Sequence, residues 1–450
     1  MNIIIIGAGE LGQLVAAKLC SLNHDVVVVD TNPENLEAAS EALDTGLLVG
    51  AATDVEVLKR AGAKEADLLL ALSGDEPSNV LACAIAKRLG TKKAICRVFS
   101  RGVFSEADGI TPTSFHIDHV FSSIDESVDL IYSILQNRIL QQKITFQHPE
   151  ALVDVVNIPL NCALAGVPLR NFSEEETLKK VRLAAIIRKR ELIVPHGDTV
   201  LMPGDKLYVA GREENVTAFV EWLSHDRSVP LKSIVVAGLS PIAQRLLLRL
   251  QSQGLQIRII EQDRERAEKM LGQLQEGNPM VFQGEITNPD ILSEADVDSC
   301  DVFAALSSRD ENNILACLLA SRLGAKKVIA LTSTAEYMDI LPSLEQAGCW
   351  FNTTQIAANG ALRLLSNQTI RVDPELRALN ARIVELVLTE KSSYVGKRIM
   401  DCGLPQGFLI ALTLRGAQVL APTGETVNQA GDQWIVFTSP AELQKVRHHI

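Results

Sequence analysis

The chain has 450 residues, of which 47% are hydrophobic but only 4% aromatic, and its formal net charge is −12. This length predicts roughly two to four domains with cores of Val, Ile, Leu and Ala, and the acidic charge argues against nucleic acid as a partner. None of the eight cysteines forms a CxxC pair, and no apolar run approaches the ~18 residues of a membrane-spanning helix. We therefore expect a soluble cytoplasmic protein without zinc or redox motifs.

The chain begins with a pattern of strand, glycine-rich turn, helix and second strand. The predicted strand, helix and second strand cover residues 2–7, 13–22 and 25–29. The turn has the sequence GAGELG from Gly7 to Gly12, and the second strand is followed by Asp30. The first glycine allows a tight turn, Gly9 lets backbone N–H groups approach a pyrophosphate, and Gly12 lets the helix pack on the strand. Asp30 can accept hydrogen bonds from adenosine ribose hydroxyls and would repel a 2′-phosphate. The unit therefore predicts a nucleotide site that disfavours NADP.

Strands and helices continue to alternate after this unit. Further strands are predicted at residues 47–50, 66–72 and 94–98, and a helix at 78–89. In an open parallel sheet the ligand lies beyond the carboxyl ends of the strands, where Ser73 and Gly74 follow the fourth strand. Arg97 lies on the fifth strand, and we interpret it as a cation facing nucleotide phosphates. The alternative for Arg97 is an ordinary ion pair at the sheet edge.

A predicted helix connects this segment to the next one. Apolar residues recur at helical spacing at Ile124, Val128, Ile131, Leu135 and Ile139. We expect a crossover helix that pairs subunits. The alternative is packing against its own domain.

The chain then repeats itself. The sequence LACAIAKRLGTKK of residues 81–93 recurs 234 residues later as LACLLASRLGAKK, from Leu315 to Lys327. A second motif, which runs from Pro195 to Asp205 and contains tight Gly-Asp turns between short strands, recurs 227 residues later. The order is therefore A-B-A′-B′. This order predicts an α/β fold, in which a Rossmann-type parallel-sheet domain followed by a small α+β C-terminal lobe is repeated in tandem. The predicted domains are residues 1–140, 141–228, 229–370 and 371–450.

The second A segment departs from the glycine pattern. Its turn contains Ser240 in place of the middle glycine and Ala243 in place of the last one. Pro241 is compatible with the first turn of a helix, and Glu261 preserves the ribose acid. The position that matches Arg97 is Leu331, so the cation is missing. The residues of this second candidate nucleotide site are Gly238, Leu239, Ser240, Pro241, Ile242 and Glu261.

These motifs and the A-B-A′-B′ plan resemble the Trk potassium-uptake regulatory family, whose members contain two regulator-of-potassium-conductance (RCK/KTN) units. The quoted features are GAGELG, the turn at residues 29–32, and residues 61–67 and 73–79. The resemblance covers essentially the whole chain. It implies Rossmann lobes that bind NAD(H) and respond to ATP or ADP, and a homo-oligomer, expected to be a tetramer. The nucleotide contacts that it implies are Gly7, Ala8, Gly9, Glu10, Leu11, Gly12, Asp30, Ser73, Gly74 and Arg97.

The resemblance also implies a partner and a location. The partner is a membrane potassium-translocating subunit of the TrkH type, and the chain would lie peripherally on the cytosolic face of the inner membrane. The main alternative is an NAD-dependent dehydrogenase, which needs an acid or base placed against the nicotinamide. The B segments offer only His196, whose match in the other copy is Thr423. We therefore expect a regulatory subunit and not an enzyme.

Overall fold

In the described residues, the strands form four sheets in chain order, two parallel and two antiparallel. The computed structural model describes the chain except for residues 23, 43–44, 106, 138, 147, 149, 160–161, 163, 190, 225–230, 278, 335–336, 338–347, 365–369, 372–375, 377–378 and 406. The predicted α/β fold, a tandem repeat of a Rossmann-type sheet followed by a small α+β lobe, is confirmed. The domain boundaries stay predictions, and the one at residues 228–229 falls outside the described residues.

The first parallel sheet, called lobe A below, has the doubly wound order β3-β2-β1-β4-β5-β6. Its central strands consist of Ile, Leu and Ala because helices cover both faces. Its strands are β1 (Asn2–Ile6), β2 (Asp25–Asp30), β3 (Gly46–Val49), β4 (Leu68–Ala71), β5 (Lys93–Val98) and β6 (His119–Ser122). Its helices are α1 (Glu10–Ser21), α2 (Pro33–Ala42), α3 (Val55–Arg60) and α4 (Glu76–Leu89).

The second parallel sheet, lobe A′, repeats this order as β14-β13-β12-β15-β16-β17. Its strands are β12 (Ser233–Ala237), β13 (Gln256–Glu261), β14 (Met280–Gln283), β15 (Val302–Ala305), β16 (Val328–Thr332) and β17 (Cys349–Asn352). Its helices are α8 (Pro241–Leu250), α9 (Arg264–Gln273), α10 (Pro289–Glu294) and α11 (Asp310–Leu323).

The antiparallel sheets, lobes B and B′, pack on each other through buried apolar side chains. Tyr208 of B and Phe437 of B′ form an edge-to-face pair with ring centroids 5.7 Å apart. Lobe B contains β7 (Leu140–Thr145), β8 (Ala151–Asn157), β9 (Arg182–Arg188), β10 (Glu191–Ile193), β11 (Lys206–Arg212), α6 (Glu176–Lys179) and α7 (Glu213–Ser224). Lobe B′ contains β18 (Ile370–Arg371), β19 (Arg382–Val387), β20 (Leu409–Arg415), β21 (Gln418–Leu420), β22 (Gln433–Thr438) and a C-terminal helix (Pro440–Arg447).

The aspartates of the repeated Gly-Asp turns are buried in ion pairs. Asp205 accepts two hydrogen bonds from Arg188, at 2.8 and 2.6 Å. Asp432 accepts the same pair from Arg415, at 2.7 and 2.8 Å. A bidentate Arg–carboxylate pair fixes orientation as well as charge. The repeated motif therefore fixes the hairpin that leads into the last strand of each small lobe.

Two crossover helices are exchanged between lobes A and A′. The helix that follows β6, α5 (Ser123–Leu135), packs on α8 of the opposite lobe. The helix that follows β17, α12 (Thr353–Arg363), packs on α1 and on α5. Arg363 of α12 and Glu126 of α5 form an ion pair at 2.6 Å. The predicted pairing helix therefore joins the two Rossmann lobes of one chain, and the helix ends four residues before the predicted Ile139. Within the described ranges, no helix has the length and apolar character needed to cross a membrane.

Candidate functional site

The three glycines of the first turn have different structural reasons. Gly7 has φ of +99°, and a Cβ there would lie 2.9 Å from the backbone of Ser73. A Cβ on Gly12 would lie 1.8 Å from the carbonyl oxygen of Gly7, so the helix could not approach the strand. A Cβ on Gly9 would meet nothing within 4 Å. Gly7 and Gly12 are therefore required by the fold, whereas Gly9 leaves open space in front of the N-terminus of α1.

Asp30 holds the turn in place. Its carboxylate accepts the N–H of Ala8 at 2.6 Å and the N–H of Asn32 at 2.7 Å. A carboxylate has about four acceptor positions, so these bonds leave capacity for ribose hydroxyls. Asp30 can therefore position the turn and still accept a hydrogen bond from a ligand.

A buried asparagine joins the ends of two strands beside the turn. Asn79 accepts the N–H and the hydroxyl of Ser73, at 3.1 and 2.7 Å, and donates to the carbonyls of Ser73 and Arg97, at 2.9 and 3.2 Å. Asn313 makes the same four contacts in lobe A′, where Leu331 stands at the place of Arg97. The sequence analysis did not assign this role to Asn79. The recurrence of the asparagine 234 residues later was the available signal.

Arg97 lies at the end of β5 without a counter-ion. Its guanidinium donates to the carbonyl of Leu72 at 3.2 Å and to the hydroxyl of Ser123 at 3.4 Å. Its Nε is buried without a partner, and none of the described carboxylates forms an ion pair with it. Burial lowers the pKa of Arg97, although a guanidinium stays charged in proteins. The alternative of an edge ion pair is therefore not what the described residues contain, and the cation is available to an anionic ligand.

A cavity of about 570 Å³ contains this site and extends across the seam between lobes A and A′. All residues predicted for the first site line it except Ala8, whose N–H binds Asp30. The lobe A lining is Gly7, Gly9, Glu10, Leu11, Gly12, Asp30, Asn35, Leu72, Ser73, Gly74, Arg97, Phe99, Ser123 and Ile124. The lobe A′ lining is Ser240, Pro241, Ile242, Ser307, Ser308, Asp310, Leu331, Thr332, Ser333, Thr353, Thr354 and Ala357.

The second turn has the same frame but a different opening. Glu261 accepts the N–H of Leu239 at 2.9 Å and of Asp263 at 3.0 Å, as Asp30 does in lobe A. The hydroxyl of Ser240, however, accepts the N–H of Ala243 at 3.3 Å, and Pro241 has no N–H. A serine cap satisfies one of the N–H groups that a phosphate would otherwise bind. The second turn therefore offers a ligand fewer free donors than the first.

Models of two known domain families match most of the chain. The TrkA-N domain matches residues 3–107 and 234–349, and the TrkA-C domain matches residues 155–224 and 383–450. The chain belongs to the TrkA family. The TrkA-N matches contain the two glycine turns, and the TrkA-C matches contain most of lobes B and B′.

Relatives of similar length support this assignment. The Trk system potassium uptake protein TrkA of Vibrio alginolyticus is 29% identical over 444 residues, covering 97% of this chain and 95% of that protein. TrkA of Haemophilus influenzae is 28% identical over 446 residues, covering 98% and 96%. Among solved structures, the GsuK RCK domain has a TM-score of 0.60 at 17% identity, covering all of this chain and 94% of that one. The GsuK channel bound to NAD has a TM-score of 0.61 at 18% identity, covering all of this chain and 78% of that one. These two structures share the fold.

The residues predicted for the second site of this TrkA-family chain divide between two cavities. Ser240, Pro241 and Ile242 line the large cavity at the seam. Gly238, Leu239 and Glu261 line a separate cavity of about 300 Å³ within lobe A′. Arg266 and Arg309 also line this smaller cavity. Only the first predicted set is therefore brought together at one place.

The residues considered for other chemistry lie elsewhere. His196 is exposed in a turn of lobe B, where its N–H binds the hydroxyl of Thr199 at 3.0 Å, and it does not line the cavity. No cluster of three or more His, Cys, Asp or Glu suited to a metal ion occurs in the part of the chain that is described. The site therefore has the donors and the cation of a phosphate-binding cavity, without an assembled acid–base pair.

Proposed function

We propose that this chain is a cytosolic nucleotide-binding regulatory subunit of a Trk-type potassium uptake system. The observation that carries the proposal is the open Gly9 turn, which lies with Asp30 and the uncompensated Arg97 in one cavity of a TrkA-family chain. The turn and the helix N-terminus provide N–H donors for phosphates. The ligand is NAD(H) or an adenine nucleotide such as ATP or ADP, and Asp30 disfavours NADP. The chain has no catalytic role in this proposal.

The crossover helix α5 supports a route from the ligand to the small lobe. Its first residue, Ser123, contacts Arg97 in the cavity, and its C-terminal end packs on β7 of lobe B. A ligand can shift a conformational equilibrium only by its differential affinity for the two states. Contacts made by Arg97 in one state alone would provide that difference. The small lobes would then transmit the change to a membrane potassium-translocating subunit of the TrkH type, with the chain held on the cytosolic face of the inner membrane.

Equivalent apolar positions support assembly with further copies of this chain. Leu81 of α4 and Leu315 of α11 are each 49% exposed on outer helices, 234 residues apart. Partly exposed Ile85 and Leu318 extend these two apolar faces. A repeated apolar face on both Rossmann lobes fits a closed assembly of identical subunits, and we propose the tetramer that the family resemblance implies.

Calorimetric titration of NADH, NAD⁺, ATP and ADP into the purified chain tests the proposal. We expect saturable binding of at least one adenine nucleotide. Asp30→Ala removes both the acceptor of the Ala8 N–H and the predicted partner of the ribose, so this variant should lose most of the binding. Glu261→Ala is the matched control, because Glu261 makes the same contacts in lobe A′. Equal affinities in the wild-type chain and Asp30→Ala would contradict the proposal.

A further inference from the structure

The lobe A′ wall of the large cavity is rich in hydroxyl groups. Seven of its twelve described lining residues are Ser or Thr. They are Ser240, Ser307, Ser308, Thr332, Ser333, Thr353 and Thr354. This wall faces the open turn of lobe A, so a ligand bound on that turn has polar donors from the other lobe within the same cavity.

Four helix N-termini from the described part of the chain contribute residues to this cavity, two of them from each lobe. They are the starts of α1, α5, α8 and α12. The first N–H groups of a helix have no acceptor within the helix, and the helix dipole places partial positive charge there. Phosphate oxygens are suited to such a place.

The charged side chains of the cavity are consistent with an anionic ligand. Arg97 is the cation among the lining residues described, and it has no counter-ion there. Asp310 accepts the N–H groups of Ser333 and Thr334 at 2.8 and 2.9 Å, so its charge is already offset. The exposed Glu10 accepts the hydroxyl of Thr354 across the seam at 3.4 Å. A terminal phosphate could take the place of the Glu10 carboxylate at Thr354.

We propose that lobe A′ binds the terminal phosphate of a nucleoside triphosphate that is held by lobe A. The inference rests on the proposed function. With the ribose at Asp30 and the first phosphates over Gly9, the chain of phosphates runs towards Arg97 and the start of α12. Thr353 and Thr354 then contact the phosphate furthest from the ribose. A diphosphate stays on lobe A, whereas a triphosphate touches both lobes and sets their relative position.

Thr354→Ile tests this subsite. Ile124 holds the equivalent second position of α5, so the start of a crossover helix in this fold accepts isoleucine. We expect the affinity for ATP to fall roughly tenfold, because a hydrogen bond to a charged group is lost. The affinity for ADP should change less than about twofold, since ADP does not extend to Thr354. Thr354→Ser keeps the hydroxyl and should retain the wild-type ratio of ATP to ADP affinity.

Two further variants complete the experiment. Thr217→Ile makes the same exchange at an exposed position of α7 in lobe B and should leave both affinities unchanged. Thr353→Val should lower the ATP to ADP ratio as Thr354→Ile does, which covers the case that one variant does not fold. If the ratio is unchanged in both threonine variants while Asp30→Ala still abolishes binding, the subsite is overturned and the proposed function stands. Wild-type affinities for ATP and ADP that are equal, or an NADH affinity that falls together with that for ATP, would also overturn it.

Discussion

Lys93 and Lys327 stand at equivalent positions of lobes A and A′, and each binds the C-terminal end of the crossover helix of the other lobe. Lys327 donates to the carbonyls of Ile134, Asn137 and Leu140 at 3.1, 3.1 and 2.7 Å. Lys93 donates to the carbonyl of Leu364, the C-cap of α12, at 2.8 Å. Lysine at a helix C-terminus satisfies free carbonyls and interacts favourably with the helix dipole. The two lysines therefore hold the exchanged helices whose other ends lie in the cavity.

Removing the Lys327 ammonium should destabilise the seam. Lys327→Met leaves three carbonyls without this donor, and we expect the free energy of unfolding to fall by about 2–3 kcal/mol. Lys93→Met, the matched variant, removes one such bond and should cost about 1 kcal/mol. Denaturant unfolding followed by circular dichroism measures both. Equal losses in the two variants would contradict this account of the caps.

The buried Asp154 of lobe B should make stability depend on pH. Its side chain is 4% exposed, its Oδ1 has no hydrogen-bond partner, and the nearby charges are Lys143 and Glu213, which pair with each other at 2.7 Å. Burial raises the pKa of Asp154 to about 7 from 3.8, Lys143 lowers the pKa, and Glu213 raises it. Between these two values the unfolded chain releases a proton that the folded chain keeps. The free energy of unfolding therefore falls as the pH rises through this window.

Asp154→Asn should remove this dependence. The variant should match the wild-type chain near pH 4 and be more stable at pH 8, by up to about 4 kcal/mol, because a shift of about three pKa units corresponds to that energy. Melting temperatures from pH 4 to pH 8 measure the effect. Glu65→Gln, at an exposed position of lobe A, is the control and should follow the wild-type curve. Parallel curves for the wild-type chain and Asp154→Asn would show that the carboxyl ionises freely in the folded state.

The difference between the two glycine turns can be transferred by single substitutions. Gly9→Ser should place a hydroxyl where Ser240 has one and cap α1, with stability unchanged or raised by about 1 kcal/mol. The same hydroxyl should occupy the phosphate approach and lower nucleotide affinity at least tenfold. Gly12→Ala, by contrast, should destabilise the fold, because its Cβ meets the Gly7 carbonyl. Calorimetric titration together with melting temperatures separates the two effects. Retained affinity in Gly9→Ser would place the phosphates away from the turn.

The exposed leucines of the outer helices should hold copies of the chain together. Leu81→Arg combined with Leu315→Arg places charge on both apolar faces without disturbing a buried side chain. We expect the assembly to dissociate into smaller species in analytical ultracentrifugation, with melting temperatures close to those of the wild-type chain. Exposed Val55→Arg, on α3, is the control and should leave the mass unchanged. An intact assembly in the double variant would exclude these faces as the interface.

Local patterns predicted the fold and the first turn, whereas contacts between distant segments could not be predicted. The order of glycines, strand and Asp30 determines a turn through backbone sterics, which act within about 25 residues of sequence. The Ser240 and Pro241 exchange also indicated that the second turn differs. The exchange of α5 and α12, and with it the seam cavity, depends on packing between residues more than 200 positions apart. The sequence around Arg97 contains no signal for Ser123 or Thr354 as its neighbours.

Potassium uptake in cells that depend on this chain tests the central claim, that nucleotide binding at the Arg97 cavity regulates transport. Uptake would be measured with the wild-type chain and Arg97→Ala while cellular ATP is lowered, with pull-down of the membrane subunit as the assembly control. Arg97→Ala should remove a phosphate contact of about 1.5–3 kcal/mol. We predict that its uptake no longer responds to the nucleotide while the complex still assembles. Wild-type uptake and nucleotide response in Arg97→Ala would contradict the account.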